Sequence, residues 1–400
     1  MNPALPRRLH ALRARDALQD IARGSKPADQ ILEALFRAHK EMGKRDRAAV
    51  SDLVYGVLRD IGRLQALTGD APAAWLARHL ADAGHAAAAI SALELPAPAD
   101  DGAVAVHASR NLPLDLHTRL AQQIGDAETT ALAAALNQPA PTDVRANTLK
   151  ATRAEVLAAL TAQGVAATPT PLAAHGLRLS QRLSKQSTLL LDGEIEPQDE
   201  GSQLLAQLTA AAAGETVIDW CAGVGGKSLA LAAQMQDQGR LIACDISASR
   251  LAKLPPRAAR AGVGCIETRV HGVDSLAGIA ADVVLVDAPC SGTGTLRRAP
   301  ELRLRSFDYP ALAALQLQIL TAAAQCVRPG GRLIYATCSL LQEENEAVVD
   351  AFLQAHPQFA SAEGPADFPS GLLSQQGRLR LWPHQHGSDG FFAACLRRPA

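Results

Sequence analysis

The stretch TVIDWCAGVGGKS, residues 216–228, decides the fold. Thr216–Trp220 is an apolar run suited to a β-strand, a Gly-rich loop follows, and Lys227–Gln236 reads as a helix. Glycine lets the backbone approach a ligand closely, and a helix N-terminus offers unpaired N–H groups. The rhythm repeats downstream. Arg240–Asp245 (RLIACD) reads as a second strand, and a helical segment from Ala248 should break or kink at Pro255 and Pro256. Asp282–Asp287 (DVVLVD) is a β-branched run suited to burial on both faces. Leu312, Leu315 and Ile319 line a helix, Pro329–Gly331 turns the chain, and Arg332–Thr337 is another strand. Glu346–Leu353 is a further helix and Phe391–Leu396 a last strand. Alternation of this kind predicts an α/β domain on a doubly wound parallel sheet, with its ligands beyond the carboxyl ends of the strands.

Working outward, the period changes. Val50, Leu53, Val54, Val57 and Leu58 form one helical face, and Ile31, Leu32, Leu35 and Phe36 another. Leu114, Leu120 and Ile124 continue the helical pattern to a linker at Gln138–Thr142. Between linker and α/β domain the reading is mixed. Val144–Leu149, Gly176–Leu179 and Thr188–Leu191 are strand candidates, and Thr152–Gln163 is an amphipathic helix stopped at Gly164. Three parts follow: an all-α region at 1–130, a small α+β subdomain at 131–197 and the α/β domain at 198–400.

Composition narrows the class. The chain has 400 residues, 48% hydrophobic and 20% charged, which excludes a largely disordered protein. Aromatics are 3%, so Ala, Leu, Val and Ile must build the cores. No apolar run reaches the roughly 20 residues of a spanning helix, and the basic N-terminus has no signal-peptide core. A cytoplasmic protein without membrane contact is expected. Net charge is −1, yet residues 1–65 hold 13 Lys and Arg against 8 Asp and Glu. That excess suits a phosphate backbone as well as a solvated helix face. The seven cysteines, Cys221, Cys244, Cys265, Cys290, Cys326, Cys338 and Cys395, contain no CxxC. Neither a disulfide framework nor a metal cluster is expected.

Three ligand classes use a loop like 219–228. A Walker A loop needs glycine six positions before its lysine, where Cys221 stands. The dinucleotide fingerprint needs glycine at 228, where Ser228 stands. The third class, S-adenosylmethionine, keeps an acidic residue before the glycines, as Asp219 is here. Asp245 ends the second strand 22 residues after Gly223, a spacing at which a carboxylate reaches ribose hydroxyls.

Asp287-Ala-Pro-Cys290-Ser-Gly-Thr-Gly294 ends one predicted strand and Tyr335-Ala-Thr-Cys338-Ser339 ends a later one. A random cysteine is ordinarily a small buried hydrophobe. Two at strand ends, with Asp287, suit covalent catalysis on a pyrimidine. A thiolate adds to carbon 6, and carbon 5 becomes nucleophilic enough to take a methyl group. An acid must serve N3, and a base must remove the carbon-5 proton.

With these residues in place, the chain resembles the RNA (cytosine-5) methyltransferases of the RsmB/NOP/Sun type. Asp219–Lys227 is similar to that family's Gly loop, Asp287–Gly294 and Thr337–Ser339 match its two cysteine motifs, and Glu343-Glu344-Asn345 follows in register. Arg145–Lys150 (RANTLK), Gln198–Gln203 (QDEGSQ), Arg297–Glu301 (RRAPE) and Asp389–Phe392 (DGFF) also match. Leu53–Arg59 (LVYGVLR) resembles the NusB-like helical domain of bacterial members.

The resemblance implies a NusB-like RNA-binding domain and a Rossmann-like, S-adenosylmethionine-dependent catalytic domain. It implies Cys338 as nucleophile, Cys290 in product release and Asp287 beside both methyl donor and base. Cys221, Ala222, Gly223, Val224, Gly225, Gly226 and Lys227 would wrap the cofactor, with Asp245 on its ribose and Arg250 beside it. Gly223 and Val224 depart from the family's Ala-Pro and should loosen the loop. The adenine-contacting position falls on His271, or on Asp274 after a shift. Arg145, Lys150, Arg297 and Arg298 are candidate RNA phosphate contacts, with Arg182 and Lys185 as possible additions. No metal is implied at His384 and His386, where a third ligand is lacking. The expected substrate is 16S ribosomal RNA and the expected state a monomer. The alternatives are a transfer RNA methyltransferase, an inactive RNA-binding assembly factor, and a nucleoside-triphosphate enzyme using Gly225–Ser228.

Overall fold

The computed structural model describes residues 5–24, 26–184, 186–271, 276 and 278–400. The chain forms two compact units. The first ends at Pro139 and takes in Thr295–Phe307; the second comprises Ala140–Gly294 and Asp308–Ala400.

The first unit is helical. Val50, Val54, Val57 and Leu58 of helix Lys44–Leu58 are fully buried with Leu18, Ile61, Leu64 and Leu76, as their spacing predicts. Helix Leu114–Leu136 runs through residue 130, where the sequence placed a boundary, and bends at Gly125, whose φ is +81°. The chain instead leaves this unit at Pro139, inside the Gln138–Thr142 linker. Thr295–Phe307 was expected with the α/β domain and packs here. Arg303 is buried and donates to the carbonyls of Asn111 and Leu296 at 2.8 Å and of Leu136 at 3.0 Å. The Glu301 carboxylate accepts the Ala28 N–H at 3.0 Å. A buried charge satisfied by distant backbone carbonyls has no local sequence period to announce it.

The second unit carries two sheets. Strands β1 (Thr142–Ala146), β2 (Ala167–Pro169), β3 (Gly176–Leu179) and β4 (Ile195–Pro197) form an antiparallel sheet in the order β2-β3-β1-β4. Helix Arg153–Ala162 starts in a reciprocal cap between Thr152 and Glu155 and buries Val156 and Leu160 with Val144, Leu177 and Ile195. Thr188–Leu191, a strand candidate, is a single helical turn with only Leu189 buried. Three consecutive leucines carry no alternation to hold a strand's two faces apart.

The larger sheet contains β5 (Thr216–Asp219), β6 (Arg240–Asp245), β7 (Ile266–Val270), β8 (Ala281–Asp287), β9 (Val327–Thr337), β10 (Ala360–Ser361), β11 (Arg378–Leu381) and β12 (Phe391–Arg397). Its order is β10-β12-β9-β8-β5-β6-β7, with β11 on β12. Strands β5 to β9 are parallel, whereas β12 runs antiparallel to β9, with Phe392 opposite Thr337. The sheet is therefore mixed, not wholly parallel. An apolar run such as FFAACL packs equally well in either direction, and such an edge addition to a parallel sheet is common. Pro329–Gly331 lies within β9 and does not end it.

Strand order reverses between β5 and β8, which places the ligand crevice at their carboxyl ends. Asp219 and Asp287 end those two strands. Pro255 and Pro256 do interrupt the helix. Helices Ala248–Leu251 and Leu254–Ala261 are separate, with proline in the first turn of the second. Glu196 of β4 pairs with Arg257 at 2.9 Å and with Arg260, and Arg257 also donates to the Val224 carbonyl. The small sheet is thereby tied to the Gly loop. Among the described residues, no helix is long and apolar enough to cross a membrane.

Candidate active site

The Gly loop leaves β5 and enters helix Gly226–Gln234. Gly223 and Gly225 both have positive φ, +58° and +87°, which side chains disfavour. A Cβ at Gly225 would lie 2.2 Å from Leu254 Cδ1, whereas one at Gly223 or Gly226 would point into open space. The loop is thus packed against Leu254 at Gly225 and open at Gly223 and Gly226. Asp219 holds the start of the helix, its Oδ2 accepting from Ser228 Oγ at 2.7 Å. Burial pushes the Asp219 pKa up to about 6.

Asp245 is buried at the end of β6. Its Oδ2 accepts the Gly223 N–H at 2.8 Å. Its Oδ1 accepts the Ser247 N–H at 2.7 Å and Arg250 Nη2 at 2.8 Å. An ionised carboxylate offers about four acceptor sites, so Oδ2 keeps one for a ligand hydroxyl. The Arg250 side chain is 54% exposed and can swing away to release another. Next to Asp245, Ile246 is 77% exposed, and Val224 in the loop is 40% exposed. Two bare aliphatic groups beside this buried carboxylate suit a flat, apolar ring face. The sequence reading passed over Ile246, although an isoleucine directly after a strand-ending acid was the signal. His271 packs its ring on Trp220 at 4.7 Å between centroids, and its Nε2 lies 2.8 Å from the Trp220 carbonyl. Asp274 lies outside the described residues, as does Lys185.

The two cysteines meet. Cys290 Sγ and Cys338 Sγ are 3.4 Å apart, beyond the ends of β8 and β9. The hydrogen bond with Cys338, and then burial, raise the Cys290 thiol well above its ordinary pKa. Cys221 is also pushed up, by burial and by the nearby aspartates, so it remains a thiol in the loop. Lys227 Nζ donates to Asp287 Oδ2 at 2.7 Å. Burial opposes the charge on Lys227, but the Asp287 carboxylate outweighs it and holds the lysine protonated above its usual range.

Four residues that sequence reasoning left without a role bind the cysteine loops together. Ser291, Ser339 and Gln316 all donate to Glu344, which is fully buried. Gly294 permits one further contact, since a Cβ there would sit 2.2 Å from the Gly390 carbonyl oxygen.

The candidate RNA contacts divide. Arg145 is buried, donates to Gln198 Oε1 at 2.8 Å, and has its pKa lowered by burial to about 10. Lys150 Nζ donates to the carbonyls of Asp192 and Arg260 at 2.6 and 2.7 Å. Arg145 is thus tied to Gln198 inside the fold, whereas Lys150 is exposed and bridges two backbone carbonyls. Arg297 is buried as well, while Arg298 and Arg182 are exposed. Among the described residues, no cluster of three or more His, Cys, Asp or Glu is arranged to hold a metal.

A reversal of strand order at a Gly-rich loop, an acidic strand end behind it and an open cradle between them define the class. This is a Rossmann-like, S-adenosylmethionine-dependent methyltransferase domain. Residues 206–397 match the model of the 16S rRNA methyltransferase RsmB/F family, and residues 112–186 match the ferredoxin-like domain of RsmF/B-like methyltransferases. The chain belongs to this RsmB/F methyltransferase family. It is 34% identical over 269 residues to a probable ribosomal RNA small subunit methyltransferase B of Bacillus subtilis, covering 65% of this chain and 60% of that protein. It is 37% identical over 288 residues to the similarly described Synechocystis protein, covering 69% and 64%. The matched stretches thus span less than two thirds of these relatives. Among solved structures, PH0851 superposes with a TM-score of 0.82 at 25% identity, over 99% of this chain and 100% of that one. A methyltransferase homologue from Pyrococcus horikoshii gives 0.61 at 29% identity, over 70% and 93%.

Proposed function

We propose that the protein is an RNA cytosine-5 methyltransferase acting on small-subunit ribosomal RNA. The observation that carries this reading is the pair of thiols 3.4 Å apart at the ends of β8 and β9, the next two strands in sheet order after the strand that leads into the Gly loop. A lone catalytic thiol serves many reactions. Two in contact suit one in which the first forms a bond to the substrate and the second helps it leave.

The open face of Gly223 and Gly226, the spare acceptor site of Asp245 and the bare Ile246 fit S-adenosylmethionine. When bound there it supplies the methyl group destined for carbon 5. Cys338 adds as thiolate to carbon 6 of the cytosine. Asp287 binds the base at N3, sharing the proton that Lys227 donates to it. Loss of the carbon-5 proton to a water base re-forms the C5–C6 double bond and expels Cys338 as a thiolate, and the adjacent Cys290, held as a thiol, stabilises that departing sulfur by hydrogen bonding. The cytosine must leave its stack to reach this depth. The helical unit, NusB-like in its Leu53–Arg59 motif, binds structured RNA, and Arg298 and Arg182 are the exposed candidates for phosphate contact. The protein works in the cytoplasm, as a monomer.

The test is incubation with labelled S-adenosylmethionine and total RNA from a strain lacking the protein, followed by sizing and sequencing of the labelled RNA. The expected result is label on one 16S cytosine, abolished by Cys338→Ala, with a covalent protein–RNA adduct accumulating in Cys290→Ala. Label on transfer RNA would overturn the substrate. Turnover by Cys338→Ala would overturn the chemistry. Absence of both label and cofactor binding would make the protein an inactive assembly factor.

A further inference from the structure

Glu344 lies in the short turn Gln342–Glu344 after the second cysteine loop and is fully buried. Its two oxygens take four donors from three separate segments. Oε1 accepts the Ser291 N–H and Gln316 Nε2, both at 2.9 Å. Oε2 accepts the hydroxyls of Ser291 and Ser339. Ser291 follows Cys290 directly, and Ser339 follows Cys338 directly. Gln316 also reaches the carbonyl of Pro289, on the other side of Cys290, at 3.1 Å. One carboxylate therefore grips the neighbour of each thiol, while none of its four bonds goes to sulfur. The turn itself is anchored by Tyr335, whose hydroxyl donates to the Glu344 carbonyl at 2.6 Å.

We infer that Glu344 is a positioning residue that sets the spacing of the Cys290 and Cys338 thiols by bracing the two loops that carry them. Its catalytic consequence rests on the function proposed above; the spacing itself does not. A brace is a matter of acceptor geometry. Hydroxyl hydrogens rotate, so Ser291 and Ser339 can accept from an amide while its oxygen keeps the Ser291 N–H and Gln316. Glutamine therefore preserves the brace without the charge, and alanine removes it.

The experiment compares wild type, Glu344→Gln and Glu344→Ala as full chains, with two readouts. The first is cross-linking by diamide, which takes two electrons and two protons from the thiols of Cys290 and Cys338 as their sulfurs bond. Peptide mapping follows that pair among the seven cysteines. Wild type and Glu344→Gln are expected to cross-link at similar rates, and Glu344→Ala on the order of tenfold more slowly, because encounter of the thiols limits exchange. The second readout is methyl transfer. A thiol misplaced by about 1 Å should lower kcat on the order of a hundredfold in Glu344→Ala, with cofactor Kd unchanged and most activity restored by glutamine. Cross-linking of Glu344→Ala at the wild-type rate overturns the inference. So does equal impairment of the glutamine and alanine variants, which would make charge the operative property. If the alanine variant fails to fold, Ser339→Ala removes one arm of the brace and is expected to slow cross-linking; an unchanged rate there overturns the inference. Cross-linking as expected in a protein that methylates no RNA would support the brace and refute the proposed function.

Discussion

Asp219 is a fully buried carboxyl with one partner. Its Oδ2 accepts from Ser228 at 2.7 Å, and its Oδ1 has no hydrogen-bond partner. Burial raises its pKa from 3.8 to about 6, with the Ser228 bond working against the rise and Asp287 adding to it. In the unfolded chain the group titrates as an ordinary aspartate. A carboxyl with a raised folded pKa stabilises the fold fully below pH 3.8, and that contribution is lost as the pH rises through about 6. At about 1.4 kcal/mol per unit, a rise of roughly two units amounts to about 3 kcal/mol. Asp219→Asn copies the shape of the neutral form and keeps an acceptor for Ser228. The variant and the wild type should therefore melt together near pH 4. At pH 7.5 the variant should be more stable by about 3 kcal/mol, or on the order of 5–10 °C in the transition of the catalytic unit. Calorimetric scans of both proteins from pH 4 to 7.5 measure this directly. A difference that stays flat with pH would refute the reasoning, since it would mean that water reaches Oδ1 and the group titrates normally. Cofactor affinity should change by less than about threefold in Asp219→Asn, where the Ser228 bond survives. Asp219→Ala, which frees the first turn of helix Gly226–Gln234, should bind the cofactor more weakly.

Gly294→Ala should destabilise the protein by about 2 kcal/mol or more in denaturant unfolding, because backbone atoms of Gly390 on the facing loop leave no room for a Cβ. Gly264→Ala, whose Cβ would meet only the Asp237 carboxylate at 3.6 Å, is the matched control and should be near neutral. Asp245→Asn should weaken S-adenosylmethionine binding on the order of tenfold or more by calorimetry, through its lost charge-assisted acceptor, whereas Arg250→Ala should change it little. Lys150→Met should lower the melting temperature and leave the salt dependence of RNA affinity unchanged, since its ammonium caps the carbonyls of Asp192 and Arg260. Arg298→Ala should instead reduce that salt slope by about one.

What could be read from residues alone follows the range of the interactions involved. Strand β8 was legible because a β-branched run needs no partner to declare itself, and the break before Leu254–Ala261 because proline acts on its own backbone. The positions of Cys290 and Cys338 were legible one step further out, from the rule that parallel strands present ligands at their carboxyl ends. The direction of β12 was not legible, because a run such as FFAACL looks the same whether its neighbour runs with it or against it. The arginines make the point sharply. Arg145 and Arg298 were equal candidates for RNA, yet Arg145 is buried against Gln198, 53 positions away, and Arg298 is exposed. Glu344 is the extreme case. It stands in the polar run Gln342-Glu-Glu-Asn345 beside Glu343, which is only half-buried. Its partners Gln316 and Ser291 lie 28 and 53 positions away. No local pattern separates the glutamate that solvent sees from the one that joins the two cysteine loops. A buried carboxylate that takes four donors is nevertheless costly to place without them, so its burial carries more functional information than its motif does.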